Sequence, residues 1–349
     1  MKDNQEALLA QFSEFFEVHL SRLKCLTGIV LCLIQVRTVN LKELAFSLNA
    51  SVSVDSNYKR LQRFFRLFSF PFDALSRFIW ALFTADSKVV VLSLDRTNWK
   101  LGRTNINILM LSVCYRGIGI PLMWTVLKDK RGNSSMQERI DLMKRFIKLF
   151  GKEQQVCLTA DREFIGKTWL EWLDSQGIHY VIRIRKNQFV SYRGKEIQSW
   201  RLFNRPDPKF LRKPRSLDGL AVYMCGKKLE DGDFLILISN KSIKNGLFLY
   251  ARRWEIETLF GALKTRGFRF ETTHLRIPQR INSLTAVLAL ALAWAVKVGD
   301  FKTNGGKTIP IKKHGRRAIS MFRIGLDAIR RNILNFRPLN ELTNVLSCT

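Results

Sequence analysis

The stretch VVVLSLD, residues 89–95, sets five apolar residues and a serine before an acid. So short a run, rich in β-branched residues, reads as a buried strand rather than a helix. Behind it, INILMLSVCY (Ile106 to Tyr115) and IGIPLMWTVL (Ile118 to Leu127) read as two more strands with Arg116-Gly117 as their tight link. A helix is expected over Ser135 to Phe150, a strand over VCLTA (Val156 to Ala160), a helix around Gly166 to Gln176 and a strand over Tyr180 to Ile184. Three meandering strands, then helix, strand, helix, strand, specify an α/β layer on a mixed sheet.

That order is the one an RNase H-like core requires. The expected fold class is therefore α/β: an RNase H-like mixed-sheet catalytic core with a β-rich insertion, an N-terminal all-α domain and C-terminal helices. Residues 1–86 carry apolar residues at three- and four-residue spacing and form the helical domain. Within it, Leu41 to Leu48 and Asp55 to Phe68 read as two helices around a Ser/Asn turn. The second can turn Tyr58, Lys59, Arg63 and Arg66 to solvent and Leu61, Phe64, Phe65 and Phe68 inward, as a helix-turn-helix DNA reader does. An ordinary bundle with a solvated basic face has the same pattern. The catalytic domain is expected over 87–298, with the insertion at 186–245. Between Arg185 and Lys228 that insertion holds 12 Lys+Arg against 3 Asp+Glu, a surface for a polyanion. A long helix is expected from Tyr250 to about Gly267, and further helices over Asn282 to Val298 and Lys312 to Leu334. Residues 299–349 form a basic helical segment.

Composition narrows the class. Across 349 residues, 58 Lys+Arg against 29 Asp+Glu give a formal charge of +29, while 46% of residues are apolar. Charge and core-forming residues are interleaved, so the chain is a folded polyanion binder and nucleic acid is the expected polyanion. Six cysteines without a CxxC pair exclude a zinc module and a disulfide framework and point to a reducing compartment. The N-terminus does not read as a signal peptide. The longest charge-free apolar run, Leu284 to Val296, is 13 residues against the ~20 that a bilayer span needs, so it reads as a buried helix. Four scattered histidines suggest no nucleophilic triad, and no GxxxxGK[ST] run suggests NTP-driven chemistry.

The carboxylates carry the chemistry. Asp95 and Asp161 each follow a buried strand, and the strand order can bring those ends side by side, where two like charges need a cation. Taken singly, either could be a turn or a helix cap. The third acid lies in LYARRWEIETLFGALKTRG. With Ile256 as zero on a helical wheel, Leu259, Phe260 and Leu263 fall within about 60°, while Tyr250, Arg253, Glu257 and Lys264 fall at about 60–120°. Those four thus share one stripe beside the core face, although an exposed Glu and Lys are often only salt-bridged surface. Carboxylates on two strand ends and a helix suit two Mg²⁺ ions about 3.5–4 Å apart, as in two-metal phosphodiester chemistry.

Tyr250, Arg253, Glu257 and Lys264 match the Y-x2-R-x3-E-x6-K signature of the cut-and-paste DDE transposases of bacterial insertion sequences. LSLDRTNW around Asp95 and LTADREF around Asp161 are similar to that family's motifs, so residues 88–300 resemble its catalytic region. The resemblance implies that Asp95, Asp161 and Glu257 are catalytic and hold two Mg²⁺ per active site, with Mn²⁺ able to substitute. It implies double-stranded DNA as partner, both the element's terminal inverted repeats and a target, bound by a homodimer with no membrane involved. It implies a nick that frees a 3′-OH, a hairpin on the element's end, its hydrolytic opening, and attack on target DNA. Tyr250, Arg253 and Lys264 would contact the DNA end, and an aromatic residue of the insertion would stack a flipped base. Trp200 is the candidate for that role, with Tyr192 and Phe203 as rivals. Arg162, next to Asp161, would touch DNA near the site, or else pair close to Glu163. A cytoplasmic, nucleoid-associated location follows. Two other readings use the same residues: an RNase H-like DNA nuclease that cuts without joining, and a DNA-binding regulator whose acids are structural.

Overall fold

Apolar positions three and four apart fold the N-terminal region into five helices: α1 (Lys2–Ser13), α2 (Leu20–Val36), α3 (Leu41–Leu48), α4 (Val54–Leu67) and α5 (Phe72–Thr84). The computed structural model describes residues 2–85, 87–127, 132–304, 309–310 and 318–347. Helices α3 and α4 start where side chains satisfy their first amides: Asn40 accepts from Lys42 N and Ser53 accepts from Ser56 N. The buried Asn57 amide donates to Ala45 O (3.1 Å) and Asn49 O (2.9 Å), tying the turn between them. Leu61, Phe64, Phe65 and Phe68 point inward as expected, and Lys59, Arg63 and Arg66 are exposed. Tyr58 is half-buried against the core rather than on the solvent face, because the ring supplies more apolar surface than one polar tip offsets.

The sheet follows. Strands β1 (Val90–Leu101), β2 (Thr104–Tyr115) and β3 (Ile118–Leu127) form an antiparallel meander. Helix α6 (Met136–Phe150) opens with a capping box between Ser135 and Glu138. It leads to β4 (Val156–Ala160), α7 (Lys167–Ser175) and β5 (His179–Arg183). Strand β4 is parallel to β1 and β5 is parallel to β4. The order β3-β2-β1-β4-β5 is the mixed sheet that the sequence pattern required.

The insertion is β-rich, as expected, and most of it joins the main sheet. Only β6 (Phe189–Tyr192) and β7 (Lys195–Gln198) form their own two-stranded sheet. Beyond β8 (Lys209–Phe210) and β9 (Arg215–Leu217), strands β10 (Leu220–Lys228) and β11 (Phe234–Ser239) extend the main sheet, with β11 antiparallel to β5. The edge of β5 would otherwise leave unpaired backbone groups, and β11 covers it.

Helices α8 (Gly246–Ala251) and α9 (Trp254–Leu263) lead into α10 (Pro278–Asn304), α11 (Met321–Leu334) and α12 (Asn340–Thr343). Helix α10 is long and apolar enough to cross a membrane, yet 89% of its most apolar window is buried inside the fold. Gly325 of α11 lies against Ala295 O of α10, an approach that a Cβ would block. The two ends of the chain also meet: Asn4 Nδ2 donates to Arg337 O, and Asn4 Oδ1 accepts from Leu339 N. Lys312, His314 and Cys348 lie outside the described residues. The other five cysteines are free and buried.

Candidate active site

The floor of the site is set by the parallel ladder between β1 and β4, whose last pair is Leu94 with Ala160. Asp95 and Asp161 are the next residue on each strand, side by side at the ladder's end. Asp161 does end its strand, whereas Asp95 lies mid-strand, because β1 runs on to Leu101 as a hairpin with β2. What stops at Asp95 is the pairing with β4. Its Oδ1 accepts the Arg96 N–H at 2.7 Å. Burial pushes the Asp95 carboxyl up to about 6, opposed by the Arg96 N–H and by Arg253, and reinforced by the charges of Glu163 and Asp161.

The wall is not the single helix expected from Tyr250 to Gly267. The chain breaks between α8 and α9 at Arg252-Arg253, where successive amides bond three residues back: Arg252 N to Leu249 O, Arg253 N to Tyr250 O, Glu255 N to Arg252 O and Ile256 N to Arg253 O. Tyr250 is buried beside Cys157, Val181 and Cys225, and its hydroxyl donates to Asp161 Oδ1 at 3.3 Å. Arg253, only 5% exposed, spans the pocket: Nη1 lies 3.5 Å from Asp95 Oδ2 and Nη2 lies 2.8 Å from Glu257 Oε1. Its guanidinium packs over the rings of Tyr250 (5.5 Å) and Trp254 (4.9 Å). Helix α9 lies directly on β3, with Gly119 beneath the backbone of Glu255 and Ile256. Arg252 and Glu255 pair at 3.1 Å, and Arg252 also donates to Cys114 O, which clamps α9 to the end of β2.

Lys264 closes α9. Its Nζ donates to Asn98 O (3.2 Å), pairs with Glu271 (2.9 Å) and sits 5.5 Å from the Trp99 ring. It therefore shares a face with the other three signature residues only by way of β1, three residues past Asp95, and is engaged within the chain.

A family model described as the transposase DDE domain matches residues 86–294. The chain belongs to the transposase DDE domain family. Among solved structures it is similar to a piggyBac transposase in a cryo-EM synaptic complex with hairpin DNA, at 13% identity and a TM-score of 0.48, covering 99% of this chain and 82% of that one. A comparison with curated proteins gives no match.

DDE transposases work with divalent metal ions, and the donors of this transposase domain suit one: carboxylate oxygens at adjoining strand positions, one raised in pKa first by burial and then, to a smaller extent, by repulsion from Glu163 and Asp161. A cation between them would relieve that repulsion. Here Arg253 supplies positive charge to Asp95 and to Glu257 together. Among the described residues no three His, Cys, Asp or Glu side chains form a ready metal cluster. Glu257 is thus connected to Asp95 through Arg253.

The other expected DNA contacts are spread over the surface of the transposase. Arg162 is exposed, and its neighbour Glu163 pairs with Arg96 instead (2.7 Å). Trp200 is half-buried, its Nε1 donating to Gln198 Oε1 and its ring near Phe234 and under Arg201. The Tyr192 ring has the guanidinium groups of Arg193 (5.3 Å) and Arg215 (5.4 Å) near it. Phe203 is buried against Gly226, so it has no face for a base. Lys59, Arg63 and Arg66 of α4 line a groove with Arg280 of α10. Arg280, Arg96 and the Arg252–Glu255 pair were not among the expected site residues. The Asp-Arg and Asp-Arg-Glu runs at residues 95–96 and 161–163 were the signal for Arg96 and Glu163.

Proposed function

We propose that this transposase is of the cut-and-paste insertion-sequence kind with the YREK signature, and that Asp95, Asp161 and Glu257 are its catalytic carboxylates. The observation that carries this reading is the bridge Asp95–Arg253–Glu257, with Tyr250 on Asp161, at the end of the β1–β4 ladder. Asp95 and Asp161, joined by Glu257, would hold two Mg²⁺ ions. Bound there, divalent ions supply Lewis acidity to a phosphodiester and lower the pKa of an attacking hydroxyl.

The chain's own residues do the rest. Arg253 and Glu257 trade partners when a DNA end enters: a phosphate oxygen takes the guanidinium, leaving Glu257 to face the aspartates. Among the described residues the buried Arg253 Nε has no acceptor. Tyr250 holds Asp161 in orientation, and Lys264 steadies the end once it exchanges Glu271 for phosphate. The element's 3′-OH, freed by a nick, attacks the opposite strand to form a hairpin, which hydrolysis opens before the same hydroxyl attacks target DNA. Trp200, or Tyr192, stacks the flipped base, a contact of about 1–3 kcal/mol. Lys59, Arg63 and Tyr58 on α4, with Arg162, bind the terminal inverted repeats and target duplex. A homodimer brings two ends together, in the cytoplasm with the nucleoid.

The test is a strand-transfer assay with Mg²⁺ and a pre-cut end carrying the element's inverted repeat. Joined products are expected. Cleavage without joining would assign the chain to hydrolysis alone, and end binding that is unaffected by Glu257→Gln, with no cleavage by the parent, would make it a regulator.

A further inference from the structure

The backbone ladder that aligns β1 with β4 ends at Leu94 and Ala160, one residue short of both aspartates. Among the described residues the pairing of β1 with β4 goes no further, yet the separation of Asp95 and Asp161 decides whether they can share cations. The next residues carry side chains that continue the ladder. Arg96 follows Asp95, and Glu163 comes two residues after Asp161. They form a fork-to-fork pair, Arg96 Nε to Glu163 Oε1 at 2.7 Å and Nη2 to Oε2 at 2.9 Å. The two side chains are only 13% and 24% exposed.

The pair is anchored on every side. Arg96 gives its own backbone N–H to Asp95 Oδ1. Its remaining donors reach Gly132 O, Asn107 Oδ1 and Asn133 Oδ1. Glu163 O accepts from Arg139 of α6, whose guanidinium lies over Phe164. The Asp161 turn closes through Phe164 N to Asp161 O. A bidentate arginine fixes orientation as well as distance, which a lysine in its place would not.

We infer that Arg96 and Glu163 are positioning residues: their bidentate pair crosslinks the loop after β4 to β1 and sets the spacing of Asp95 and Asp161. This rests on the reading of those two aspartates as metal ligands. Because Arg96 is spent on protein acceptors, it makes no phosphate contact and acts on DNA chemistry only through the carboxylates.

The test is Mn²⁺ binding to the full chain without DNA, by isothermal titration, on variants shown by circular dichroism and melting to be folded. Arg96→Gln and Glu163→Gln should each weaken Mn²⁺ binding about tenfold or more, and Arg96→Lys should remain weakened. The Arg96→Met/Glu163→Leu double variant leaves no unpaired buried charge. It should fold and still bind Mn²⁺ weakly, by no more than the worse single variant, and it should lower kcat of end cleavage while the KM for end DNA stays put. Parent-like Mn²⁺ affinity in the folded double variant would overturn the assignment. So would a fall of about 0.9 in the salt slope of DNA binding for Arg96→Gln, which would make it a phosphate contact. Asp95→Asn separates the two levels. If it abolishes Mn²⁺ binding while the pair variants bind like the parent, only the positioning role fails; if it binds Mn²⁺ like the parent, the metal reading fails and takes the positioning role with it.

Discussion

On the floor of the pocket, Asp95 and Asp161 hang from neighbouring parallel strands inside a nine-stranded sheet, while on the wall Arg253, Glu257 and Lys264 are placed by a short helix after a break. The floor acids stand just past the last backbone pair of the β1–β4 ladder, where the bidentate Arg96–Glu163 pair links the two segments. The wall residues are held by ion pairs, Arg253 with Asp95 and Glu257, and Lys264 with Glu271. In the proposed function the floor keeps its geometry for chemistry while the wall re-pairs around a DNA end.

The largest expected effect comes from breaking the floor. Asp95→Asn keeps the shape and removes the charge, and loss of metal Lewis acidity worth several kcal/mol corresponds to about 10³-fold or more in cleavage rate. A gel-based cleavage assay should show that loss, with end binding within a few-fold of the parent; cleavage at parental rates would remove Asp95 from the chemistry.

Moving the wall without touching a carboxylate sharpens the contrast. In Gly119→Ala the new Cβ would stand 2.9 Å from Ser112 Oγ, 3.1 Å from Ile256 Cα and 3.2 Å from Glu255 O, so the α9 backbone must lift. Overpacking of this kind costs about 1–3 kcal/mol. Urea unfolding should give a lower midpoint and cleavage should fall, with Mn²⁺ affinity held by the aspartate pair; an unchanged midpoint would show that α9 yields freely.

Acid should also act on the floor first. A carboxyl with its pKa raised to about 6 is ionised above that pH and protonated below it, and only the ionised form binds metal. Metal affinity should therefore fall about tenfold per pH unit as pH drops below about 6, instead of holding until near 4 as for an ordinary aspartate. In the chain without metal the sign is opposite. The raised pKa means that Asp95 favours folding most below pH 4, and that this contribution is lost as pH rises through about 6. Titration calorimetry between pH 5 and 7.5 tests the first point, and a flat profile would contradict a buried, raised Asp95.

The smallest effect lies outside both regions. Arg63→Ala on α4 should lower the salt slope of DNA binding by about 0.9 with little change in cleavage of bound DNA, as expected for one lost phosphate contact. An unchanged slope would leave the basic face of α4 as plain solvated surface.

Much of the floor was legible in VVVLSLD and VCLTAD because a buried strand followed by an acid leaves few alternatives. The helix pair α3 and α4 was legible in the same way, through Leu61, Phe64, Phe65 and Phe68 on one side and exposed cations on the other. The wall was legible only in part. A 3.6-residue period assumes one continuous helix, and nothing in YARRWE announces the tight turn at Arg252-Arg253 that aims Tyr250 at Asp161. The extension of the sheet by β10 and β11 was hidden too, since alternating apolar residues give a strand but not its neighbour.

Taken alone, the amino-acid order determined the element sequence, the buried runs, the excess of cations and the residue types able to hold metal and phosphate, because each follows from local spacing and solubility. Only the tertiary structure decided that Arg253 stands between Asp95 and Glu257, that Lys264 is occupied by Glu271, and that Arg96 reaches Glu163 across 67 positions. Such pairings depend on which chain segments become neighbours once the sheet has closed, and that is a property of packing that no window of sequence contains.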